Sequence, residues 1–304
     1  MLHKLIKRII KRLKQKLKTF YMLKIRKFIR ISSYPYISGD TFRTIANHIY
    51  DEIKYLNYDK IQKKEILFIK TDLINKFIEI NQIRHLDNVL IFHNSDKSVE
   101  KEHLEKLTNK FSLIFAQNLN VNVDDYKNVF PLPIGFENRS YLMHGRLNSF
   151  NKVSKNVIIK TNDKKILCGF NPNTNKARRN ILEIVSKSNN IDLLRFTGHS
   201  EYLKILSTYK FNLCPEGNGL DTHRFWESLL VETVPIVKRS DFISNFKNLN
   251  IPCYVLDNWD ELKTLDLNKL DTFYDANLDL IKEKKYIYFD FWKKFILKKI
   301  YETL

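Results

Sequence analysis

Short, nearly continuous apolar runs recur along the chain. Each closes on a polar or glycine-containing turn and gives way to helical periodicity. The clearest are EILFIK at 65–70, VLIF at 89–92, LIFA at 113–116, KILCGF at 165–170, FNLC at 211–214, VPIV at 234–237 and CYVL at 253–256. Runs without polar alternation suit strands buried on both faces, which is the habit of parallel sheets. Strands alternating with helices predict an α/β architecture. Tyr34 to Ile37 is a further strand candidate, followed by a turn and cap at Ser38–Thr41 and a helix from about Phe42 to Lys54. The run 129–134 carries Pro131 and Pro133 and cannot be a central strand over its whole length. Residues 139–163 are polar and poorly periodic and read as a linker. From Ile281 onward the pattern is helical and aromatic, with Trp292 and Phe295, and reads as a helix packed across the rest. The pattern divides the chain into 1–30, a basic amphipathic helix; 31–160, a first Rossmann-like domain; 161–275, a second; and 276–304, the C-terminal helix.

Charge changes the picture at one end. The 304 residues carry a formal net charge of +18. Residues 1–30 hold twelve Lys or Arg and no acid, and the remainder has 40 basic against 34 acidic residues. Within 1–30, Leu2, Leu5, Ile6, Ile9, Leu13, Leu17 and Phe20 recur at helical spacing between the cations. No apolar run approaches the roughly 20 residues that span a bilayer. The fit is a helix lying on an anionic membrane surface, which places the chain in the cytoplasm at the inner face of a membrane. The rivals are a partner-binding helix and a nucleic-acid-binding arm; nucleic acid is disfavoured because the body shows no reader module. Cys168, Cys214 and Cys253 have neither disulfide nor metal-finger spacing, and Cys168 and Cys214 sit inside predicted strands as small core residues.

The densest chemistry lies at 210–238, a strand, a glycine loop, a helix and a second strand. Gly217 and Gly219 flank Asn218, and such a loop permits φ > 0 and close approach of a ligand. Asp221 or Thr222 can cap the helix. A glycine loop opening a helix directs free N–H groups and the positive end of a dipole at one spot, which favours phosphate. Arg224 adds a planar cation; Glu227 and Ser228 share its helix face, and Glu227 can accept hydrogen bonds from ribose hydroxyls. The other reading of the same spacing is a helix with one solvated Arg–Glu pair.

Other candidates cluster where strands end, because residues just beyond a parallel strand face the crevice. In the first half these are Asp40, which can also be a plain N-cap; His93 and Asp96 as possible bases; Asn118; and Glu137. In the second half Lys176, Arg178 and Arg179 open a helix, where cations oppose the dipole unless an anion is present. No Asp-x-Asp occurs, and the eight histidines show no ligand spacing, so neither metal nor other cofactor is expected.

The run CPEGNGLDTHRFWESLLVETVPIV at 214–237 resembles the signature of the exostosin-like glycosyltransferases. IFHNSD, FAQN and PLPIGFEN within 91–138, and KILCGFNPNTNKARR at 165–179, are similar to the same family. Where this chain has Glu232-Thr233 the family usually has Gly, which puts the helix C-cap in question. The resemblance covers most of 35–260. It implies a GT-B fold, two Rossmann-like domains facing across a cleft with the sugar nucleotide mainly on the second. It implies an inverting, metal-independent transfer from a nucleotide-diphosphate sugar, by analogy a UDP sugar, to a glycan or lipid-linked glycan. On that reading Arg224, Glu227, Gly217, Asn218, Gly219, Arg178, Lys176 and Ser228 hold the donor, His93 or Asp96 is the base, and Asp40, Asn118 and Glu137 face the acceptor. The rival classes are a nucleotide-sugar-binding module without turnover and a basic nucleic-acid- or membrane-binding protein.

Overall fold

The computed structural model describes residues 10, 13–14, 16–17, 20–21, 25, 28–80, 87–141, 144–155, 159–196 and 198–304. The basic helix expected over 1–30 lies mostly outside the described residues. Among those described, no helix is long and apolar enough to cross a membrane.

Two five-stranded parallel sheets form the protein. The first takes its strands in chain order: β1 (His48–Tyr50), β2 (Ile66–Lys70), β3 (Val89–His93), β4 (Leu113–Ala116) and β5 (Val129–Pro131). The second has the order β10-β9-β8-β6-β7, with β6 (Asn162–Cys168), β7 (Ile191–Leu193), β8 (Tyr209–Leu213), β9 (Val234–Lys238) and β10 (Tyr254–Leu256). Two parallel sheets bordering shared cavities is the GT-B arrangement. The described helices are α1 (Ile74–Glu79), α2 (Lys101–Leu107), α3 (Leu147–Lys155), α4 (Ala177–Val185), α5 (His199–Leu206), α6 (His223–Leu230), α7 (Asp241–Lys247), α8 (Leu267–Ala276), α9 (Leu278–Glu283) and α10 (Phe289–Thr303).

Period-two alternation sorts the first sheet's side chains. Leu67, Ile69, Leu90, Phe92 and Ile114 face α1 and α2 through Phe77, Leu104 and Leu107. Phe68, Ile91 and Phe115 face the opposite way, into a core shared with Trp226 of α6 and Trp292 of α10. The helix α10 joins the halves. Its Phe295 ring lies 6.2 Å from Phe115 and 5.9 Å from Phe130, and Trp292 lies 6.2 Å from Trp226.

Several expectations are corrected. The helix expected over 42–54 is a single α-turn, Gly39–Phe42, then a 3-10 turn, and strand β1 follows within the same stretch. Ser38, not Asp40, caps that turn. Tyr34 to Ile37 contributes only an isolated bridge from Tyr36 to Tyr288. The supposed linker contains α3, which buries Phe150 against Phe136 at 4.4 Å. The proline-bearing β5 is an edge strand, as its missing donors require. The C-cap of α6 forms without glycine: Glu232 takes φ 58°, with Thr233 N donating to Ser228 O at 2.9 Å and Glu232 N to Leu229 O at 3.3 Å. That pair of bonds is a Schellman motif.

Candidate functional site

In the second sheet the chain leaves β6 in one direction, to β7, and later returns on β6's other side as β8. The order reverses between β6 and β8, and the crevice beyond the strand ends at such a point is where open α/β sheets bind ligands. The two segments bordering it are 169–173 after β6 and 214–222 after β8.

Arg178 ties these segments together. Its Nε donates to Glu216 O at 2.8 Å, Nη2 to Pro215 O at 3.0 Å and Nη1 to Asn171 O at 3.1 Å. Burial, with Arg224 nearby, lowers its pKa to about 10, so it stays charged at neutral pH. Three of its five N–H groups are spent on carbonyls, so it ties the two segments together and also lines the central cavity as a fixed charge. Arg224 donates Nη2 to Gly169 O at 2.9 Å, lies over the Tyr202 ring at 5.7 Å, and its buried Nε has no partner. Neither arginine forms an ion pair among the described residues. Glu227 is 5% exposed and accepts from His199 Nε2 at 2.6 Å. Burial alone would raise its pKa; His199, His223 and Arg224 outweigh burial and hold it below the ordinary carboxylate value.

Three cavities meet here. A lateral one of about 610 Å³ runs along 169–173, Phe196, His199 and Tyr202 to Arg224 and Glu227. A central one of about 220 Å³ is lined by the glycine loop, Arg178, His223, Arg224 and Glu227. A third of about 450 Å³ lies over the ends of the first sheet's strands, with Lys70, Asn94, Asp96, Gln117, Glu137 and Tyr141 in its walls. Asp96, Ile134, Asn218 and His223 line both the central cavity and the third.

The glycine loop is bolted to the first sheet. Asp221 N donates to Asn118 Oδ1 at 2.8 Å, Ile134 N to Asp221 Oδ2 at 2.6 Å, and His223 Nδ1 to Gly135 O at 2.7 Å. A Cβ on Gly219 would lie 2.7 Å from Asn118 Nδ2. Close approach rather than φ > 0 explains Gly219; neither it nor Gly217 has positive φ, whereas Gly135 does, at 67°. Asp221 is not the cap of α6; Thr222 holds that position, and Asp221 instead accepts from Trp226 Nε1 at 3.0 Å.

The remaining predicted residues separate. Asp96, Asn218 and Glu137 line cavities, with Glu137 also accepting from His144 N at 2.7 Å. His93 is fully buried and both ring nitrogens are occupied, Nε2 by Pro133 O at 2.9 Å and Nδ1 by Asn94 N at 2.8 Å. Burial lowers its pKa to about 4. It is therefore a wall residue with no free lone pair for an acceptor. Asn118 is fully buried in the bolt and faces no acceptor space. Asp40 is 2% exposed, bonded by Asn94 Nδ2 at 3.1 Å, and lines none of the three cavities. Ser228 turns inward, donating to Arg224 O at 2.7 Å and accepting from Asn212 Nδ2 at 2.9 Å. Lys176 is exposed and lines no cavity described here. Burial pushes the thiols of Cys168 and Cys214 up to about 12, as inert core residues. His199, the partner of Glu227, and His223 escaped the sequence reading, because single histidines at isolated positions carry no spacing signal.

No known family profile matches the chain, and no curated protein matches it. Solved structures that resemble it include trehalose-6-phosphate synthase in a study of glycosyl transfer with retention, at 11% identity over 81% of this chain and 77% of that one, TM-score 0.48. Another is the Escherichia coli trehalose-6-phosphate protein bound with UDP-2-fluoro glucose, at 11% identity over 80% and 75%, TM-score 0.44. The Burkholderia multivorans synthase matches at 8% identity over 80% and 72%, TM-score 0.42. Likeness of this degree assigns no activity; the fold assignment stands on the strand orders themselves.

Proposed function

We propose that the chain is an exostosin-like glycosyltransferase that moves a sugar from a nucleotide-diphosphate donor, a UDP sugar, to a glycan or lipid-linked glycan. The observation that carries this reading is the pair of arginines, Arg178 and Arg224, both lining the central cavity where the second sheet reverses its order and neither in a salt bridge among the described residues. Glu227 offsets the Arg224 charge in part, and two arginines beside one cavity leave room for an anion to complete them. The central cavity takes the diphosphate. Glu227, with one oxygen held by His199, offers the other to the ribose hydroxyls. The base and ribose occupy the lateral cavity, where Phe196 and Tyr202 give apolar walls. The acceptor occupies the third cavity, and transfer takes place where that cavity meets the central one. The Arg224 and Arg178 charges stabilise the departing diphosphate by electrostatics fixed before reaction, with no metal needed in this scheme.

The test is a nucleotide and nucleotide-sugar panel read by thermal shift, since a ligand that binds only the folded state raises the melting point. UDP compounds should stabilise the wild type. Arg224→Ala should lose that shift, with UDP affinity down about 100-fold. Transfer should survive a chelator and yield product of inverted anomeric configuration. A retained configuration would overturn the displacement mechanism, and chelator sensitivity the metal-free scheme.

The exposed Ile10, Leu13, Leu17 and Phe20 support an apolar stripe on the basic N-terminal segment, directed at an anionic inner membrane face. Removal of residues 1–30 should abolish sedimentation with phosphatidylglycerol vesicles and leave UDP binding intact.

A further inference from the structure

Transfer requires a group to receive the acceptor's proton, and His93, the obvious candidate by position, has no lone pair to give. On the reading that the chain transfers from a nucleotide sugar, we infer that His223 is the base. The reacting centre must lie where donor and acceptor spaces join, and among the described residues four line both the central cavity and the third: Asp96, Ile134, Asn218 and His223. Two of these can take a proton. His223 is the one held in place. Its Nδ1–H donates to Gly135 O at 2.7 Å, and that carbonyl sits on a residue at φ 67° whose added Cβ would meet Ile37 O at 2.5 Å. A donor at Nδ1 fixes the tautomer and leaves the Nε2 lone pair, which has no partner among the described residues. Asp96 is exposed on a loop with no carboxylate hydrogen bond of this kind.

The step balances. The acceptor hydroxyl oxygen forms the new bond to the anomeric carbon, and the bond from that carbon to the diphosphate oxygen breaks. Its electron pair leaves on the diphosphate beside Arg224. The hydroxyl proton passes to Nε2, giving an imidazolium that later releases it to water. Charged and titratable groups share these cavities with the ring: Asp96 and Lys97 from the loop after β3, the Lys70–Asp72 pair at the end of β2, Glu137, Tyr141 and His144 from the segment after β5, and Arg178, Arg224 and Glu227 around the loop cavity. His93 and Asp221 lie in the walls.

The test uses the full chain with isotopically labelled histidine, and a panel of UDP-glucose, UDP-galactose, UDP-N-acetylglucosamine and UDP-glucuronate. Long-range proton–nitrogen spectra, with His223→Gln to assign the ring, should show the Nδ1–H tautomer. An Nε2–H tautomer overturns the assignment without any turnover measurement. With water as acceptor, UDP release by the wild type should fall on the acid side. His223→Gln and His223→Ala should lose about 100-fold or more in release while binding UDP within about threefold of the wild type. Both should lose the acid limb, and free imidazole should restore part of the rate in His223→Ala. Release by His223→Ala within about threefold of the wild type, or an acid limb that survives, overturns the assignment in favour of Asp96. A wild type that fails to bind UDP, or binds it and cleaves no donor, defeats the transferase reading itself and this assignment with it; loss confined to the His223 variants cannot be confused with that failure.

Discussion

At the scale of the residue, the two arginines of the site should behave as opposites. Arg178 is bound by three carbonyls and should matter mainly to stability. Arg178→Ala should cost about 3 kcal/mol in chemical denaturation, because it orphans buried carbonyls of both segments. Arg224→Ala should cost less stability and nearly all nucleotide affinity. Denaturation and UDP titration of the same two proteins separate the roles. Asp221 gives a pH prediction. Burial raises its carboxyl from 3.8 to about 7, so the folded state holds the proton more tightly than the unfolded chain. The stabilisation this brings is complete below the unfolded value and is lost as pH rises through about 7. Wild-type stability should therefore fall relative to Asp221→Asn by about 4 kcal/mol over that window. The neutral, buried His93 works the other way: its depressed value removes stability as pH falls from 6.5 to about 4. Difference measurements against each variant are needed to see either slope. Of the residue chemistry, the placement of Arg224 and Glu227 on one cavity wall was legible because both lie one turn apart on a helix opened by glycine. The inward turn of Ser228 was not: it depends on Asn212, sixteen positions away on β8.

Elements were legible where the apolar run was long enough to be buried on both faces. β2, β3, β4, β8 and β9 all stand where their runs place them. β1 was hidden because it has three residues at a sheet edge, and its pairing with β2, not its own composition, makes it a strand. α3 was hidden because its surroundings are polar and Phe150 is its only fully buried side chain. The glycine loop shows the same dependence on context. Its glycines were expected to permit φ > 0 and close approach of a ligand; neither has positive φ, and Gly219 serves the distance between two chain segments. Gly219→Ala should therefore fail by steric contact with Asn118 and the Asp96 backbone. The expected result is a lower melting temperature, by about 5 °C or more, with partial recovery in Gly219→Ala/Asn118→Gly.

At the scale of the whole molecule, one core runs through both sheets. Trp292 of α10 is fully buried against Trp226 and Phe246 of the second half, and Phe295 one turn on reaches Phe115 and Phe130 of the first. Trp292→Ala should cost about 3–5 kcal/mol, and the wild type should unfold in one calorimetric transition rather than two. The bolt of Asn118, Asp221 and His223 has a consequence for traffic. A clamshell that gapes to admit its nucleotide would have to snap all three links each cycle. On the proposed function, uridine would instead slip in sideways, past Phe196, while the jaws stay shut. Fluorophores placed on α2 and α8 should then report one unchanging separation, whether or not UDP is present.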